Sequence, residues 1–391
     1  MQQVQIPTSK SYAARALILG CLKSENVILT DIPSSSDTQE LIKILESLSL
    51  LQRDGNKLVL DKSFPEDEIH SNNTVTLNLG EGGTTIRFLL TLLCLGKNKY
   101  KLNVHPRFKE RPFMDQLNLL DSLGAKIISS DNPEVLCTIQ GPITLPKILN
   151  IDCSKTTQVA SSFWMLKEKY ELEVNCENLN SSNAYIDLTE SLVGSMESKY
   201  SIPADMSSAS YLIAIAVLKK SLKFSNIKNK DPLQADSALI EILKKSGAVI
   251  RAEDCLVIEK TNNLKPFEVD GSKSIDLVPT LCFLASFIKG ESRIFNIENL
   301  IYKETNRLKA IKDVLDQFDI KYRGTKNEII ISGGSKLKKV SNLLVSPDHR
   351  IVMMGWLFLT MQGSGSIEHR EVVSKSFPDF FEIIKSLDLD I

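Results

Sequence analysis

The sequence predicts an α+β protein of two lobes, each built from three copies of one α+β unit. Three observations carry this expectation. A helix rich in small and apolar residues, a polar break and a strand recur six times. The copies read "ARALILGCLKSENVILTDI", "TTIRFLLTLLCLGKNKYKLNV", "TQVASSFWMLKEKYELEV", "SSASYLIAIAVLKKSLKFSNI", "VPTLCFLASFIKGESRIFNI" and "HRIVMMGWLFLTMQGSGSIEH". Between them falls a second kind of segment, an amphipathic helix with the helical period followed by two short strands. Anchored at Ala13, Thr84, Thr157, Ser208, Pro279 and Arg350, the copies lie 71, 73, 51, 71 and 71 residues apart. The short step falls near the middle of the 391 residues and puts a boundary close to Pro203. Residues 9–203 are then one lobe, and residues 1–8 with 204–391 the other.

In chain order, the amphipathic segments begin with "SDTQELIKILESLSLLQRDGNKLVL" and "FMDQLNLLDSLGAKIISS" running on to "EVLCTI". A shorter version follows Tyr185. "ADSALIEILKKSGAVIRAEDCLVIE" and "ETNRLKAIKDVLDQFDIKYRGTKNEIIIS" come next, and "FPDFFEIIKSL" is a sixth helix. Gly124 and Gly247 stand where a left-handed residue closes a helix. "ALILGCL", after Lys10 and Arg15, reads as an ordinary buried helix rather than a leader, because the apolar run is short and no A-x-A-like site follows.

Polar and basic residues gather at the starts of the small-residue helices and just before the amphipathic ones. "TSKSYAAR" supplies Ser9, Lys10, Ser11 and Arg15, and "LNLGEGGTTIRF" supplies three glycines, Glu81, Thr84 and Arg87. "RFKERPF" supplies Arg107, Lys109 and Arg111 before Pro112, a residue that suits a first helical turn. "SKTTQ" holds Thr156, Thr157 and Gln158; "YKETNR" holds Lys303, Glu304 and Arg307; "DHR" and "SKSFP" hold Asp348, His349, Arg350 and Lys375. Taken singly, each serine or threonine is an N-cap and each cation a solvated side chain. Taken together they occupy equivalent places in successive repeats. Two lobes predict a cleft, and cations converging on it predict a small polyanionic substrate carrying phosphates and carboxylates. Asp205, Asp276, Glu304 and Asp348 are the carboxylates available there, with N-capping as the alternative for each aspartate, strongest for Asp205.

Several classes are disfavoured. The net charge of −1 gives no reason to expect nucleic acid or an acidic membrane surface. Apolar runs such as "IVMMGWLFL" are too short to span a bilayer. The seven cysteines are scattered without a C-x-x-C pair, which fits reduced thiols in the cytoplasm. Four histidines show no metal-ligand spacing. The glycine-rich loop lacks the lysine of a P-loop and the dinucleotide fingerprint.

The chain resembles the 5-enolpyruvylshikimate-3-phosphate synthases (3-phosphoshikimate 1-carboxyvinyltransferases). The resemblance runs nearly end to end and rests on "SKSYAARAL", "LGEGGTTIRF", "RFKERPFMDQL", "DMSSASY", "IDLVPTL", "YKETNRL", "PDHRIVM" and "SKSFPDFF", in that order. It implies a two-lobed inside-out α/β barrel of six βαβαββ repeats, three per lobe, with the active site between the lobes. It implies transfer of the enolpyruvyl group of phosphoenolpyruvate to the 5-hydroxyl of shikimate 3-phosphate, by addition and then elimination of phosphate, with lobes that close on the substrate. No metal or organic cofactor is implied, and the protein is expected to be a monomer.

Residue by residue, the resemblance gives Lys10 to both substrates. Ser11 and Arg15 fall to the shikimate carboxylate, and Thr156, Thr157 and Ser182 to its phosphate, with Tyr185 beside them. Arg111, Arg307, Arg350 and Lys375 fall to phosphoenolpyruvate, with Gly83 and Gln158 nearby. Asp276 is the implied base on the shikimate hydroxyls and Glu304 the implied acid, with Asn299 and Lys303 adjacent and His349 in support. This chain departs from the pattern in having two threonines at 156 and 157 for serines, Ile275 for proline, Asn306 for aspartate, Ala13 and Ala14 for polar residues, and Glu81 where asparagine is frequent. Glu81 is expected to pair with a cation such as Lys10 or Arg111, and Arg87 to brace its own helix start. Two readings compete: the sister transferase acting on UDP-N-acetylglucosamine, and a non-catalytic paralogue. The first usually carries a cysteine near "RFKERPF", where the nearest here are Cys94 and Cys137; the second expects a lost catalytic group, and none is lost.

Overall fold

The computed structural model describes residues 1–228, 231–252 and 254–391. The chain divides into two compact units, Thr8–Pro203 and Met1–Pro7 with Ala204–Ile391.

In Thr8–Pro203 the middle repeat is the most complete. Strand Val75–Asn78 leads to helix Gly83–Leu93, strand Lys99–Asn103, helix Met114–Ser122 and strands Lys126–Ser129 and Val135–Gln140. The first two strands are parallel, and Lys99–Asn103 pairs antiparallel with Val135–Gln140, which pairs with Lys126–Ser129. Strands Gly290–Phe295, Glu268–Asp270, Lys321–Gly324 and Glu328–Gly333 repeat this order in the other unit. The first repeat of each unit borrows its leading strand. Lys199–Ser201, from the end of its unit, lies parallel to Val27–Thr30, and Gln2–Val4, from the start of the chain, lies parallel to Leu222–Phe224.

The third repeat of each unit is reduced. Ile148–Asp152 with Glu173–Glu177, and Asn342–Leu343 with Ser366–Ile367, are two-stranded parallel sheets. Their amphipathic helices, Asn183–Leu192 and Phe380–Ser386, lack the closing strand pair that follows the other four. The expected α+β class and repeat count therefore hold, but two repeats are shorter than βαβαββ. Among the described residues each sheet is open at both edges and none closes into a barrel.

The small-residue helices are the cores of the units. Met206–Leu218 is buried on nearly every side, as are Val278–Phe287 and His349–Gln362, and these three pack on one another. Small residues allow that close approach, and a helix apolar all round has no solvent face. Their hydroxyls pair between repeats: Ser210 with Thr280 at 2.9 Å, and Thr91 with Ser162 at 2.7 Å in the other unit. Each pair satisfies two buried groups that would otherwise cost about 1–3 kcal/mol apiece. The amphipathic helices cover the outside. Gly124 and Gly247 follow Met114–Ser122 and Ala238–Lys245 with φ of 104° and 96°, the left-handed geometry that glycine adopts without a Cβ clash.

Candidate functional site

Each unit gathers its charged residues at the starts of its central helices. In Thr8–Pro203, Ser9 caps Lys10–Leu22 and Lys10 is its first residue. The Lys10 ammonium lies 2.8 Å from a carboxylate oxygen of buried Asp37, at the start of helix Ser36–Ser47. Asp37 also lies against the glycine-rich loop: a Cβ on Gly82 would come 3.0 Å from its carboxyl carbon, and Thr85 Oγ1 donates to its carbonyl at 3.2 Å. The sequence reading missed Asp37 because "SSSDTQ" reads locally as a capping stretch; its pairing depends on a residue 27 positions away.

Arg15 is 2 % exposed. Its guanidinium donates to Thr189 Oγ1 at 2.7 Å, Tyr185 O at 3.0 Å, Ser161 Oγ at 3.3 Å and Ser11 O at 3.0 Å. All four acceptors are neutral, and burial pushes its pKa down to about 10. Ser11 and Tyr185 thus sit around one buried cation, with the Tyr185 ring centroid 5.8 Å from its Cζ. Arg87 braces the start of its helix as expected, donating to Gly83 O at 3.2 Å. It also donates to Gln158 Oε1 at 2.8 Å, and Gln158 Nε2 donates to Thr84 Oγ1 at 3.0 Å. Burial, and then the neighbouring Arg111, lower the Arg87 pKa well below its usual value. The Arg111 guanidinium lies directly over Gly83, where an added Cβ would sit 2.6 Å from both terminal nitrogens.

Thr157 stands at the N-cap position of Gln158–Trp164, and Thr156 Oγ1 accepts from Gln158 N at 3.2 Å. Thr156 and Lys155 also border a cavity of about 340 Å³ beside helix Met114–Ser122, where Lys155 and Asp115 pair at 2.8 Å. Ser182 stands at the N-cap position of Asn183–Leu192 without a side-chain cap, and its φ of 66° turns the chain sharply into that helix. Glu81 pairs with Arg107 at 3.0 Å, with His105 at 3.8 Å, so it does meet a neighbouring cation, and Arg107 stands there in addition to the two cations given as examples.

The other unit holds the denser cluster. Asp276, in the turn before Val278–Phe287, meets Arg307 at 2.8 Å, Lys303 at 3.3 Å and Arg350 at 3.3 Å. Glu304 meets His349 Nδ1 at 3.0 Å and Lys375 at 3.3 Å. Asp348 is fully buried; it caps His349–Gln362 by accepting from Arg350 N and binds Arg307 Nε at 2.9 Å. Asp348 is therefore the N-cap that the sequence offered as the alternative reading, and it is also the ion-pair partner of Arg307. Asp205, by contrast, accepts from Ser208 N at 2.9 Å as an N-cap. Asn306 caps Arg307–Gln317 by accepting from Lys309 N at 3.1 Å, so the departure from aspartate keeps the cap. Asn299 is buried in the preceding turn.

Charge is compensated throughout. Burial would lower the pKa of Arg307, but Asp348 and Asp276 outweigh it and raise it. Burial lowers that of Lys303, which Asp276 only partly opposes. Asp236, which the sequence reading did not single out, is buried beside this cluster and receives a hydrogen bond from Ser207 Oγ. Burial pushes its pKa up to about 6; Arg350 opposes the rise, and Asp276 and Asp205 add to it.

Glu304, Asp348 and His349 place three ligand-type atoms within 4.8 Å of one another. Lys375 and Arg307 already sit on those two carboxylates. A divalent cation there would have to displace or repel both, so the donor set fits anion-binding cations better than a metal.

The family model described as EPSP synthase (3-phosphoshikimate 1-carboxyvinyltransferase) matches residues 1–199 and 192–384. The chain belongs to the EPSP synthase family. Among its relatives, the 3-phosphoshikimate 1-carboxyvinyltransferase of Methanococcoides burtonii is 30 % identical, covering 100 % of this chain and 96 % of that one. The enzyme of the same name from Pyrococcus abyssi is 32 % identical, covering 97 % and 93 %. EPSP synthase from Acinetobacter baumannii shares the fold with a TM-score of 0.76 at 20 % identity, over 99 % of this chain and 96 % of that chain. The enolpyruvyl transferase NikO from Streptomyces tendae shares it with a TM-score of 0.69 at 13 % identity, over 99 % and 95 %. The two units, with their doubled strand order, are the EPSP synthase family's two-domain architecture.

Proposed function

We propose that the chain transfers the enolpyruvyl group of phosphoenolpyruvate to the 5-hydroxyl of shikimate 3-phosphate and releases phosphate. The observation that carries this reading is the pairing of two carboxylates with four cations and a histidine in one unit. Asp276 is ringed by Lys303, Arg307 and Arg350, and Glu304 lies between His349 and Lys375. Such a cluster suits a reaction that needs an acid and a base among several anionic groups.

In the first half-reaction Glu304 delivers a proton to the methylene carbon of phosphoenolpyruvate. The adjacent carbon becomes cationic and is attacked by the 5-hydroxyl, whose proton passes to Asp276. In the second half-reaction the Glu304 carboxylate takes a proton back from the new methyl group and phosphate departs, regenerating the double bond. Lys375 orients Glu304 and shares the proton's path. Arg111, Arg307, Arg350 and Lys375 bind the phosphate and carboxylate of phosphoenolpyruvate, with Gly83 leaving room and Gln158 alongside. Lys10 contacts both substrates. Ser11 and Arg15 receive the shikimate carboxylate, for which the neutral surroundings of Arg15 leave a counter-charge unfilled. Thr156, Thr157 and Ser182 receive its phosphate, Tyr185 flanks it, and Asp276 holds its hydroxyls, with Asn299 and Lys303 also binding shikimate 3-phosphate.

The protein acts as a cytoplasmic monomer on these small anions. Its seven cysteines are all free, which supports a reducing compartment. No helix among the described residues is long and apolar enough to cross a membrane.

Phosphate release from phosphoenolpyruvate with shikimate 3-phosphate, set against UDP-N-acetylglucosamine as acceptor, tests the assignment. Turnover with the first acceptor alone is expected. Turnover with the second alone, or with neither, overturns it.

A further inference from the structure

The glycine-rich loop is fastened to the short turn Pro106–Glu110 at two points. The His105 N–H donates to Gly80 O at 2.8 Å. Beside it the Arg107 guanidinium holds the Glu81 carboxylate, with Nη2 3.2 Å from Oε1 and 3.0 Å from Oε2. His105 Nδ1 accepts from Arg107 N at 3.3 Å, which fixes the start of the turn. Lys109 ties the same turn elsewhere, donating to Asn132 O at 2.7 Å and to Ser130 O at 3.4 Å. Phe108, between Arg107 and Lys109, is buried.

Arg111 takes its place from this turn. Its N–H donates to Phe108 O at 3.0 Å, and its Cζ lies 5.9 Å from the Phe108 ring centroid. The Arg87 Cζ lies 5.4 Å from the same centroid, so two like charges share one ring and repel. Among the described residues no carboxylate pairs with Arg111, and its Nε is buried without a hydrogen-bond partner. The guanidinium is therefore held over Gly83 by the backbone of the turn and by packing, not by a counter-ion of its own.

We propose that the Glu81–Arg107 ion pair is a latch that holds Arg111 over Gly83, which makes Glu81 a positioning residue for phosphoenolpyruvate. The inference rests on the proposed role of Arg111 in binding that substrate. It accounts for a carboxylate in a loop beside an anion site, because Arg107 neutralises the charge that would repel the anion. It also fixes a sign. Removing a negative charge near an anion site tightens binding if Coulomb attraction alone acts. Opening the latch weakens binding, because the turn and Arg111 are then free to move off the loop. The two effects oppose each other in a neutral variant of Glu81. Glu81 and Arg107 are both half-exposed, so water and salt screen the lost charge over the distance to the substrate, whereas a displaced guanidinium loses its contact directly.

Steady-state kinetics of the full-length protein with phosphoenolpyruvate and shikimate 3-phosphate compare the wild type, Glu81→Gln, Arg107→Gln and the double variant. Glu81→Gln keeps the side-chain length and removes the charge. KM for phosphoenolpyruvate is expected to rise about threefold, the strength of a half-exposed ion pair, with kcat and shikimate 3-phosphate affinity within about 1.5-fold of wild type. The double variant is expected to match the worse single variant, since either change opens the same latch. Phenylglyoxal, which adds to guanidinium groups, reads the latch without turnover: Arg111, followed by mass spectrometry, is expected to react about threefold faster in Glu81→Gln. A KM that falls or stays level in Glu81→Gln overturns the latch, as do additive effects in the double variant or unchanged labelling of Arg111. Wild-type protein with no turnover on this substrate pair overturns the functional reading instead, and the labelling then decides the latch by itself.

Discussion

Gly83→Ala isolates the contact between the glycine-rich loop and Arg111. Gly83 is the first residue of helix Gly83–Leu93 and is not in the left-handed region, so alanine brings no backbone strain there. Its Cβ would sit 2.6 Å from Arg111 Nη1 and Nη2 and 2.7 Å from Cζ. An ordinary contact begins at 3.4 Å, so the guanidinium must retreat by about 0.8 Å, the difference between 3.4 and 2.6. Arg111 is the free end of a flexible side chain, and the move leaves the core untouched. The fold is expected to survive with a melting temperature within about 2 °C, because a surface-like adjustment changes stability by only about ±0.5 kcal/mol. The proposed phosphoenolpyruvate site is expected to suffer. A misplacement of about 1 Å in a positioning group costs up to roughly a hundredfold. We therefore expect kcat/KM for phosphoenolpyruvate to drop by between about ten- and a hundredfold, through KM, at saturating shikimate 3-phosphate. Affinity for shikimate 3-phosphate, measured alone, is expected to change less than about twofold. A folded variant whose KM for phosphoenolpyruvate stays near the wild-type value refutes the assignment of Arg111 to that substrate.

Glu304→Gln and Lys10→Met are each expected to remove most turnover, by about three orders of magnitude in kcat for the acid, with circular dichroism unchanged; a rate near that of the wild type removes the residue from the chemistry. Asp236→Asn tests the buried carboxylate. Its folded pKa of about 6 lies above the ordinary aspartate value of 3.8, so the native state holds a proton that the unfolded state releases between these values. Wild-type stability should therefore fall as pH rises from about 4 to about 6, by up to roughly 3 kcal/mol, and stay level above that range. The asparagine variant lacks this slope, so its stability relative to wild type rises over the same interval; parallel urea-unfolding curves at pH 4.5 and 7 for both proteins would contradict the assignment.

Much of the architecture was legible in the sequence because burial leaves a periodic trace. Helices such as Met206–Leu218 and Val278–Phe287 are apolar all round, and Ala238–Lys245 is apolar on one face. The order of these two kinds gave six repeats. The shorter segment after Tyr185 and the lone helix "FPDFFEIIKSL" already marked the third repeats as different, but the helical trace does not show whether a closing strand pair follows, so six full βαβαββ repeats were expected where two are reduced. The cation-rich cluster was legible because its members stand at equivalent places in the repeats. Individual partners were not. Lys10 with Asp37, Glu81 with Arg107 and Arg307 with Asp348 join residues 27, 26 and 41 positions apart. Asp236 looked like one more polar residue at a helix start, and only packing against Ser207 and the Asp276 turn makes it unusual. Local pattern reports which face is buried, whereas an ion pair is a property of two distant positions brought together.

The borrowed strand Gln2–Val4 ties the beginning of the chain to residues made much later. Its hydrogen-bonding neighbourhood includes Ile6 with Asn226, 220 residues downstream. At a synthesis rate of about 5–20 residues per second, the N-terminus waits roughly 10–45 s on the ribosome before its partner strand exists. The unit Thr8–Pro203 can finish folding during that wait, since its own borrowed strand, Lys199–Ser201, arrives with its last residues. Residues 2–4, made before the unit Thr8–Pro203, thus belong to the structure completed after it. A bulky fusion at the N-terminus would burden the late unit and spare the early one, and placing it at the other end of the chain would leave the waiting strand unencumbered.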